Sequence, residues 1–466
     1  TDESANDLLS SVWPNESMKT FDVGDLDRDG DIDVMALGGA GIAMFRNQGG
    51  NTNHWIDIAL EAQQVKGEGF APSGRVNANG LGSRVEIRAG DLSQLHNVQR
   101  RVTHLGLGHR ETADVVRVVW LNGVPQNIVS PPVDIVVCEQ QVLLGSCPYL
   151  YVWNGSHNVF VTDLLWAAPI GLQYRENELM PFRSWEHLKI SGSKLAPLND
   201  AYVLQVTEEL WEAAYFDSVK LTAVDHPHGV EIFSNEKVGP AAIAAFGIHT
   251  VRSPVWPVAA KDDRGHDILN ELLQQDEKYP PNRERQRRQG LLELHAVELD
   301  LGSVVFEPKD SIKLFLTGWT FPTTVGINLA LDRDPALGVP HPPSVSIPDG
   351  KGKWKTVIPF MGFPGGKTKT IVVDLTGFLK EEDPRVRIET SMDIRWDQAF
   401  FSVGKESDEF QLEELPLVSA DLHYRGFSRV IRDGSDGPER FDYHTISTNE
   451  KWPPMLGNFT RYGDVR

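Results

Sequence analysis

Five aspartates recur at every second position in a short stretch near the start of the chain: Asp25, Asp27, Asp29, Asp31 and Asp33. Residues two apart point the same way in an extended segment, so their carboxylates can converge while Gly30 lets the backbone turn. Such a loop can surround one hard cation with oxygen, with Asp31 contributing its backbone carbonyl and Asp33 a further carboxylate. The spacing therefore predicts a calcium site formed by these five residues.

The same stretch does not fit an EF-hand. An EF-hand loop carries a bidentate Glu at position 12 and is flanked by helices. Position 12 here is Ala36, within the apolar run 34–37, which is typical of a strand. The alternative to a cation site is an acidic surface turn without an ion. That alternative is disfavoured because five crowded carboxylates repel one another.

The sequence FDVGDLDRDGDIDVMALGG, which begins at Phe21, resembles one repeat of the FG-GAP (VCBS) family, the calcium-loop blades of integrin-type β-propellers. The resemblance implies that the acidic loop joins two strands of a blade and binds calcium. No second DxDxDG pattern occurs in the chain, and one blade cannot bury both of its faces. We therefore expect a blade remnant over 1–52, in a sequence that begins inside a longer protein.

Four further stretches together resemble the ASPIC/UnbV domain, which commonly follows FG-GAP repeats in secreted bacterial proteins and in the cartilage acidic protein family. They are NHWIDIAL from Asn53, NGLGSRVEI from Asn79, HLGLG from His104 and DVVRVVWLNG from Asp114. The resemblance implies a β-domain over 53–137. The residues themselves also predict strands, since 83–88 and 114–120 are rich in β-branched residues and are bounded by glycine turns.

Short strands separated by turn signals continue after residue 137 and predict two β-sandwich-like domains, over 138–260 and 289–404. The clearest signal is a hairpin of 149–153 and 159–163, with a turn at Asn154-Gly155. Residues 262–279 are predicted to form a helix within a linker over 261–288, because Leu269 and Leu272 share one side and Pro280 follows. The segment 405–466 is predicted to be irregular. The expected fold class is mainly β with few helices.

The chain has two cysteines, Cys138 and Cys147. Neither a CxxC pattern nor a neighbouring pair of histidines accompanies them, which argues against zinc. The alternatives are a small disulfide loop, which we favour, and two buried thiols.

No sequence pattern of a catalytic class is evident, since GxSxG, HExxH and P-loop motifs are missing from the sequence. Histidines without ligand-spaced partners are expected to be structural: His54, His104 and His109. The segment from Asp225 to His228 is expected to form an exposed turn rather than a metal corner. Four tryptophans are expected to lie in the core, with a sugar-stacking face as the alternative: Trp153, Trp166, Trp319 and Trp396.

The chain has 466 residues with 45 basic and 65 acidic side chains, which gives a formal net charge of −20. This charge argues against nucleic acid as a partner, because phosphate binding depends on Lys and Arg. The basic cluster RERQRR from Arg283 is expected to be a solvated linker. No apolar run approaches the roughly 18 residues of a transmembrane helix.

These observations together predict a non-catalytic, calcium-binding protein that is secreted or held at the cell surface and serves adhesion or surface assembly. Its expected partners are a protein or glycan surface, or further chains of an assembly. Two alternatives stay open: a protein that binds or processes carbohydrate, and an accessory subunit of an envelope complex.

Overall fold

The structure is a computed structural model, and it describes residues 18–27, 29–39, 41–49, 52–62, 77–121, 125–140, 147–166, 172–175, 178–208, 216–281, 290–307, 310–323, 328, 331, 340–431, 437–448, 459–460 and 463–464. The described residues divide into two compact units, one within 1–143 and one within 144–466. The basic cluster 283–288 lies outside the described residues.

Strands dominate both units, so the predicted mainly β fold class is confirmed. In the described part of the chain, helical structure comprises the α-helix Ala241–Ala244, two 3-10 turns, Gly192–Lys194 and Asn270–Leu272, and the single helical residues Asn328 and Leu331. None of the described helices is long and apolar enough to cross a bilayer.

The described strands of the first unit are β1 Thr20–Gly24, β2 Asp33–Gly38, β3 Gly41–Phe45, β4 His54–Glu61, β5 Arg84–Ala89, β6 Leu92–Asn97, β7 Val102–Gly108, β8 Val115–Val119, β9 Pro125–Val129 and β10 Ile135–Gln140. β1, β2 and β3 form an antiparallel meander. A second sheet has the order β10-β4-β7 and a third the order β6-β5-β8-β9.

The second and third sheets share one hydrophobic core, which follows from the alternation of apolar residues along their strands. In β4, Ile56 and Ile58 are buried while the residue between them is only half-buried. They join Val85 of β5 and Val116 of β8 in a single cluster. Strands whose apolar residues recur with a period of two bury one face in this way.

The described strands of the second unit are β11 Tyr149–Trp153, β12 Asn158–Asp163, β13 Gln173–Arg175, β14 Glu178–Leu179, β15 Pro197–Leu198, β16 Ala201–Tyr202, β17 Leu204–Thr207, β18 Leu221–Asp225, β19 Glu231–Ser234, β20 Lys237–Val238, β21 Ile248–Val251, β22 Ala259–Asp262, β23 Leu291–Asp300, β24 Ile312–Thr320, β25 Ser344–Pro348, β26 Trp354–Ile358, β27 Phe363–Pro364, β28 Lys369–Asp374, β29 Arg385–Met392, β30 Ile394–Val403, β31 Gln411–Leu415, β32 Phe427–Ile431, β33 Arg440–Ser447, β34 Phe459–Thr460 and β35 Gly463–Asp464.

The largest core of the second unit joins a five-stranded sheet, β22-β23-β29-β25-β26, to a three-stranded sheet, β28-β24-β30. Val345 and Val386 come from the first sheet, and Leu314 and Phe401 from the second. The expected hairpin is present as β11 and β12, and Gly155 in its turn has a φ of 100°. β22 pairs with β23 and β20 with β27, so strands from 138–260 and 289–404 share sheets. The finer division into separate domains remains a prediction.

The predicted helix over 262–279 is wrong. Asp262 instead ends strand β22, and its carboxylate accepts hydrogen bonds from the backbone N–H groups of Arg264 and His266, both at 2.9 Å. This closes a turn, after which Leu272 is fully buried in the core as part of a single 3-10 turn. The apolar spacing reflected core packing of an irregular segment rather than one face of a helix.

The prediction of an irregular segment over 405–466 is also wrong, because β31, β32 and β33 form there. β31 pairs with β18, and the ring of Phe441 in β33 stacks on Tyr149 in β11 with 4.0 Å between the ring centroids. The partner of β31 lies far away in the sequence, so local patterning does not reveal this strand, whereas β32 and β33 pair with each other.

The predicted disulfide does not form: Cys138 and Cys147 are not bonded to each other in the structure. The alternative of two buried thiols is also wrong, because Cys147 is buried but Cys138, on β10, is exposed. Partial burial and the negative charge of Glu61 raise the pKa of the Cys138 thiol.

Candidate metal site

The acidic stretch forms the connection between β1 and β2. Gly24 and Asp33 are the last paired residues of this antiparallel ladder, so the chain between them must leave the sheet and return. β2 then continues with Ala36 fully buried. The strand pair therefore fixes both ends of the acidic loop.

Three of the five predicted ligands come together. Asp25, Asp27 and Asp29 each offer a carboxylate oxygen, and these oxygens lie within 4.8 Å of one another. Asp27 is exposed, while Asp25 and Asp29 are half-buried. Because exposed acidic groups also cluster without a metal, the arrangement allows a cation site but does not by itself demand one.

Backbone donors orient two of these carboxylates. The N–H of Gly30 donates to Oδ2 of Asp25 at 3.0 Å, and the N–H of Asp31 donates to Oδ1 of Asp29 at 3.2 Å. The bond from Asp31 holds the pKa of the Asp29 carboxyl below its usual range, and Arg46 lowers this pKa further. A carboxylate that is ionised and held in place is suited to bind a hard cation.

Asp33 and Asp31 are placed differently from the first three aspartates, since both are buried. Oδ2 of Asp33 accepts the N–H of Leu26 at 3.0 Å, and Oδ1 accepts the N–H of Asn47 at 2.8 Å. In this arrangement Asp33 ties the start of the loop to the end of β3. The predicted contribution of Asp31 and Asp33 as ligands remains a prediction.

Arg46 is a cationic neighbour that the sequence reasoning missed. Its Nε contacts Oδ2 of Asp27, and its Nη2 lies 3.2 Å from Oδ2 of Asp29. The hydrogen bond to Asp29 raises the pKa of the Arg46 guanidinium. Val34 pairs with Phe45, so Arg46, the residue after β3, lies next to the loop. Predicting a hairpin of β2 and β3 from the sequence would have placed Arg46 beside the aspartates.

Arg100, between β6 and β7, contacts β1, and Trp55 of β4 lies against the acidic loop. Arg100 donates to the backbone oxygen of Val23 at 2.7 Å and to Oδ1 of Asp22 at 2.8 Å. A Cβ placed on Gly30 would overlap Nε1 of Trp55, the second residue of β4. No spacing rule connects Trp55 or Arg100 with the acidic stretch, so sequence reasoning alone could not have placed them there.

The other candidate histidines have ordinary partners or exposed positions. Nδ1 of His54 lies 2.7 Å from Oδ2 of Asp134, and Nδ1 of His104 lies 2.8 Å from Oδ1 of Asp57. The segment 225–228 is exposed, as expected for a turn. Among the residues that the structure describes, the aspartates at 25, 27 and 29 are the group of His, Cys, Asp or Glu that could hold a metal ion.

Three of the four tryptophans considered as a sugar-stacking face are buried or pack against the core, and Trp153 at the end of β11 is half-buried. Trp319 and Trp396 are buried, as expected for core residues. Trp166 packs against the same core, and its Nε1 donates to Oδ2 of Asp163 at 2.7 Å. These positions favour the core interpretation over the carbohydrate alternative.

Comparison with protein-family models, with curated proteins and with solved structures finds no match to this chain.

Proposed function

We propose that the loop between β1 and β2 binds one calcium ion, and that the chain is a non-catalytic, secreted or cell-surface protein for adhesion or surface assembly. In this proposal β1–β3 are an FG-GAP (VCBS) blade, 53–137 is an ASPIC/UnbV domain, and β-sandwich-like domains follow. The supporting observation is that carboxylate oxygens of Asp25, Asp27 and Asp29 lie within 4.8 Å of one another.

Calcium suits this loop better than the other common metals. The candidate ligands are all oxygens, which hard cations prefer, whereas zinc and copper favour nitrogen or sulfur. The loop is short and partly exposed, and calcium accepts the irregular coordination that such a loop offers, while magnesium demands a near-ideal octahedron.

The extracellular part of the proposal agrees with the expected strength of the site. Three carboxylates that are partly exposed, with Arg46 beside two of them, should bind more weakly than a buried cage. Extracellular calcium modules work with dissociation constants of about 10⁻⁴–10⁻³ M. An ion bound at this loop would hold the meander β1–β3 together in a calcium-rich environment.

Thermal unfolding of the full chain with and without calcium tests the proposal. A ligand that binds only the folded form adds about 2.7 kcal/mol when present at 100 times its dissociation constant. We expect the first unit to melt several degrees higher in saturating calcium and the second unit to be unaffected.

Asp29→Asn should abolish this shift. The matched control is Asp91→Asn, because Asp91 is an exposed carboxylate on the β5–β6 turn and pairs with Arg110. This control variant should keep the shift. The same calcium-induced shift in the Asp29→Asn variant and in the native chain would count against the loop as the site.

A further inference from the structure

A lysine and an aspartate are buried together in the second unit. Nζ of Lys369, the first residue of β28, lies 2.5 Å from Oδ1 of Asp163, the last residue of β12. The two side chains are only 1% and 4% exposed. β12 belongs to the sheet β12-β11-β17 and β28 to the sheet β28-β24-β30, so this contact connects two sheets.

The contact brings the amine close to the carboxyl carbon. Oδ1 is bonded to Cγ of Asp163 at about 1.2 Å, so Nζ of Lys369 lies within about 3.8 Å of Cγ. Reacting atoms in a near-attack arrangement are about 3–3.5 Å apart. A small side-chain movement would therefore bring nitrogen and carbon within reach.

Neighbouring groups hold both reactants in this geometry. Nζ of Lys369 also donates to the backbone oxygen of Gly365 at 2.7 Å and to Oγ1 of Thr162 at 3.1 Å. On the other side of the carboxyl group, Nε1 of Trp166 donates to Oδ2 of Asp163 at 2.7 Å. That donor stands where negative charge would develop on Oδ2 during an attack on Cγ.

A third ionisable group lies beside the pair. Oε2 of Glu186 accepts the backbone N–H of Leu165, two residues after Asp163, at 2.5 Å. Burial raises the pKa of the Glu186 carboxyl, Lys369 lowers it, and Asp163 raises it. Glu186 is therefore electrostatically coupled to both partners, and its raised pKa favours the protonated carboxyl group.

We propose that Lys369 and Asp163 condense into an intramolecular isopeptide bond. This bond is independent of the calcium site, because it concerns residues of the second unit only.

The proposed reaction is a condensation that needs no oxidant, reductant or further reactant. The ammonium of Lys369 first passes a proton to Oδ1 of Asp163, which leaves a neutral amine and a carboxylic acid. The nitrogen lone pair attacks Cγ and forms the Nζ–Cγ bond, and Oδ2 carries the developing negative charge against Nε1 of Trp166.

The protonated Glu186 then gives its proton to Oδ1 and takes one from the nitrogen, so Glu186 ends unchanged. The Cγ–Oδ1 bond breaks, Oδ1 leaves as water, and Oδ2 becomes the amide oxygen.

Such a bond would fasten β12 to β28 covalently and close a loop that runs from Asp163 to Lys369. A covalent closure of a long loop removes conformational freedom from the unfolded chain, as a disulfide does. It would also prevent the sheet that contains β12 from being pulled away from the sheet that contains β28. A buried ion pair adds much less net stability than a covalent bond, because its attraction is offset by the loss of hydration of both charges.

The mass of the intact full chain, measured under denaturing conditions after the purified protein has been kept folded, tests the proposal. We expect a mass lower than that of the linear sequence by one water molecule. Protease digestion should then release one branched peptide that contains both Asp163 and Lys369. A mass equal to that of the linear chain in a folded sample would overturn the proposal and leave an ion pair.

Variants locate the bond. Lys369→Arg should have the linear mass, since it keeps the positive charge but lacks the amine. Lys313→Arg is the matched control, because Lys313 is also ion-paired within the second unit, 2.8 Å from Glu406, and this variant should still lose one water. A mass deficit that persists in Lys369→Arg would overturn the assignment. Glu186→Gln should also have the linear mass, and a full deficit in that variant would overturn the role given to Glu186.

Discussion

The backbone of Gly30 lies directly against the indole ring of Trp55. A Cβ at position 30 would overlap Nε1 and Cδ1 of Trp55, and Gly30 itself has a φ of 93°. The glycine therefore meets two requirements at once: it lets the acidic loop turn, and it lets the loop approach β4. Trp55 in turn stacks on His104 of β7 with 6.0 Å between the ring centroids. The candidate metal loop is thus built against the sheet that contains β4 and β7.

Replacement of Gly30 by alanine should damage the loop. The new Cβ would clash with the indole, and alanine disfavours a positive φ, so we expect the first unit to lose more than about 1 kcal/mol of stability and the calcium-induced shift to disappear. Chemical denaturation with and without calcium measures both effects.

Gly90→Ala is the matched control for Gly30→Ala. Gly90 has a φ of 60°, but apart from its two chain neighbours no described residue has a heavy atom within 4 Å of the place that an alanine methyl group would take, so this variant suffers the backbone strain without the clash. It should keep the calcium response. Equal losses of stability and of calcium response in both variants would show that contact with Trp55 is unimportant.

Arg46 should compete with calcium for the carboxylates of Asp27 and Asp29. Its guanidinium contacts both, so a bound cation must share or displace those oxygens. We expect Arg46→Gln to lower the calcium dissociation constant by roughly two- to fivefold, a modest effect because ion pairs at exposed positions are weak. Isothermal titration calorimetry measures the change.

Arg100→Gln is the matched control for Arg46→Gln. It removes the same charge from the same unit, but Arg100 pairs with Asp22 rather than with the clustered aspartates, so the calcium affinity should stay nearly unchanged. Unaltered or weaker calcium binding by Arg46→Gln would mean that the arginine does not compete.

Lys237 should make the stability of the second unit depend on pH. Burial lowers the pKa of this lysine from 10.5 to about 7. Between about pH 7 and pH 10.5 the unfolded chain therefore binds a proton at Lys237 that the folded chain does not bind. The stability must then rise with pH across this window, by at most about 1.4 kcal/mol per pH unit. Below about pH 7 both states are protonated and the full penalty of burying the charge is present.

The variant Lys237→Met isolates this effect. It should be more stable than the native chain at about pH 6.5, and the difference should shrink as the pH rises toward about 10. Urea denaturation at several pH values provides the measurement. A constant difference between the two chains over the whole range would refute the depressed pKa.

The sequence predicted those parts of the molecule that depend on local pattern. The acidic loop, the hairpin of β11 and β12, and the dominance of strands all arise from short-range alternation and from turn residues such as Gly155. The parts it missed depend on partners distant in the chain. Phe441 in β33 stacks on the distant Tyr149, and Leu272 is buried by strands from both sides of its own segment, which its helical spacing could not indicate.

The surroundings of the candidate site show the same division. The spacing of the aspartates predicts which carboxylates can converge, and Asp25, Asp27 and Asp29 do so. The spacing says nothing of Asn47, whose N–H donates to Asp33, because this contact requires the register of β2 with β3. The proximity of Asp163 and Lys369 depends on the contact between two sheets, so no local sequence pattern predicts it.

Terbium luminescence tests the central claim most directly, since Tb³⁺ takes the oxygen ligands that calcium takes and emits when an excited indole lies nearby. Trp55 lies against the loop, so excitation of tryptophan should give terbium emission that saturates at one ion per chain and is displaced by calcium. Trp55→Phe should weaken the emission while calorimetry shows unchanged calcium binding, and Asp29→Asn should abolish both. Emission that does not saturate, that calcium does not displace, or that survives in Asp29→Asn would contradict a calcium site in this loop.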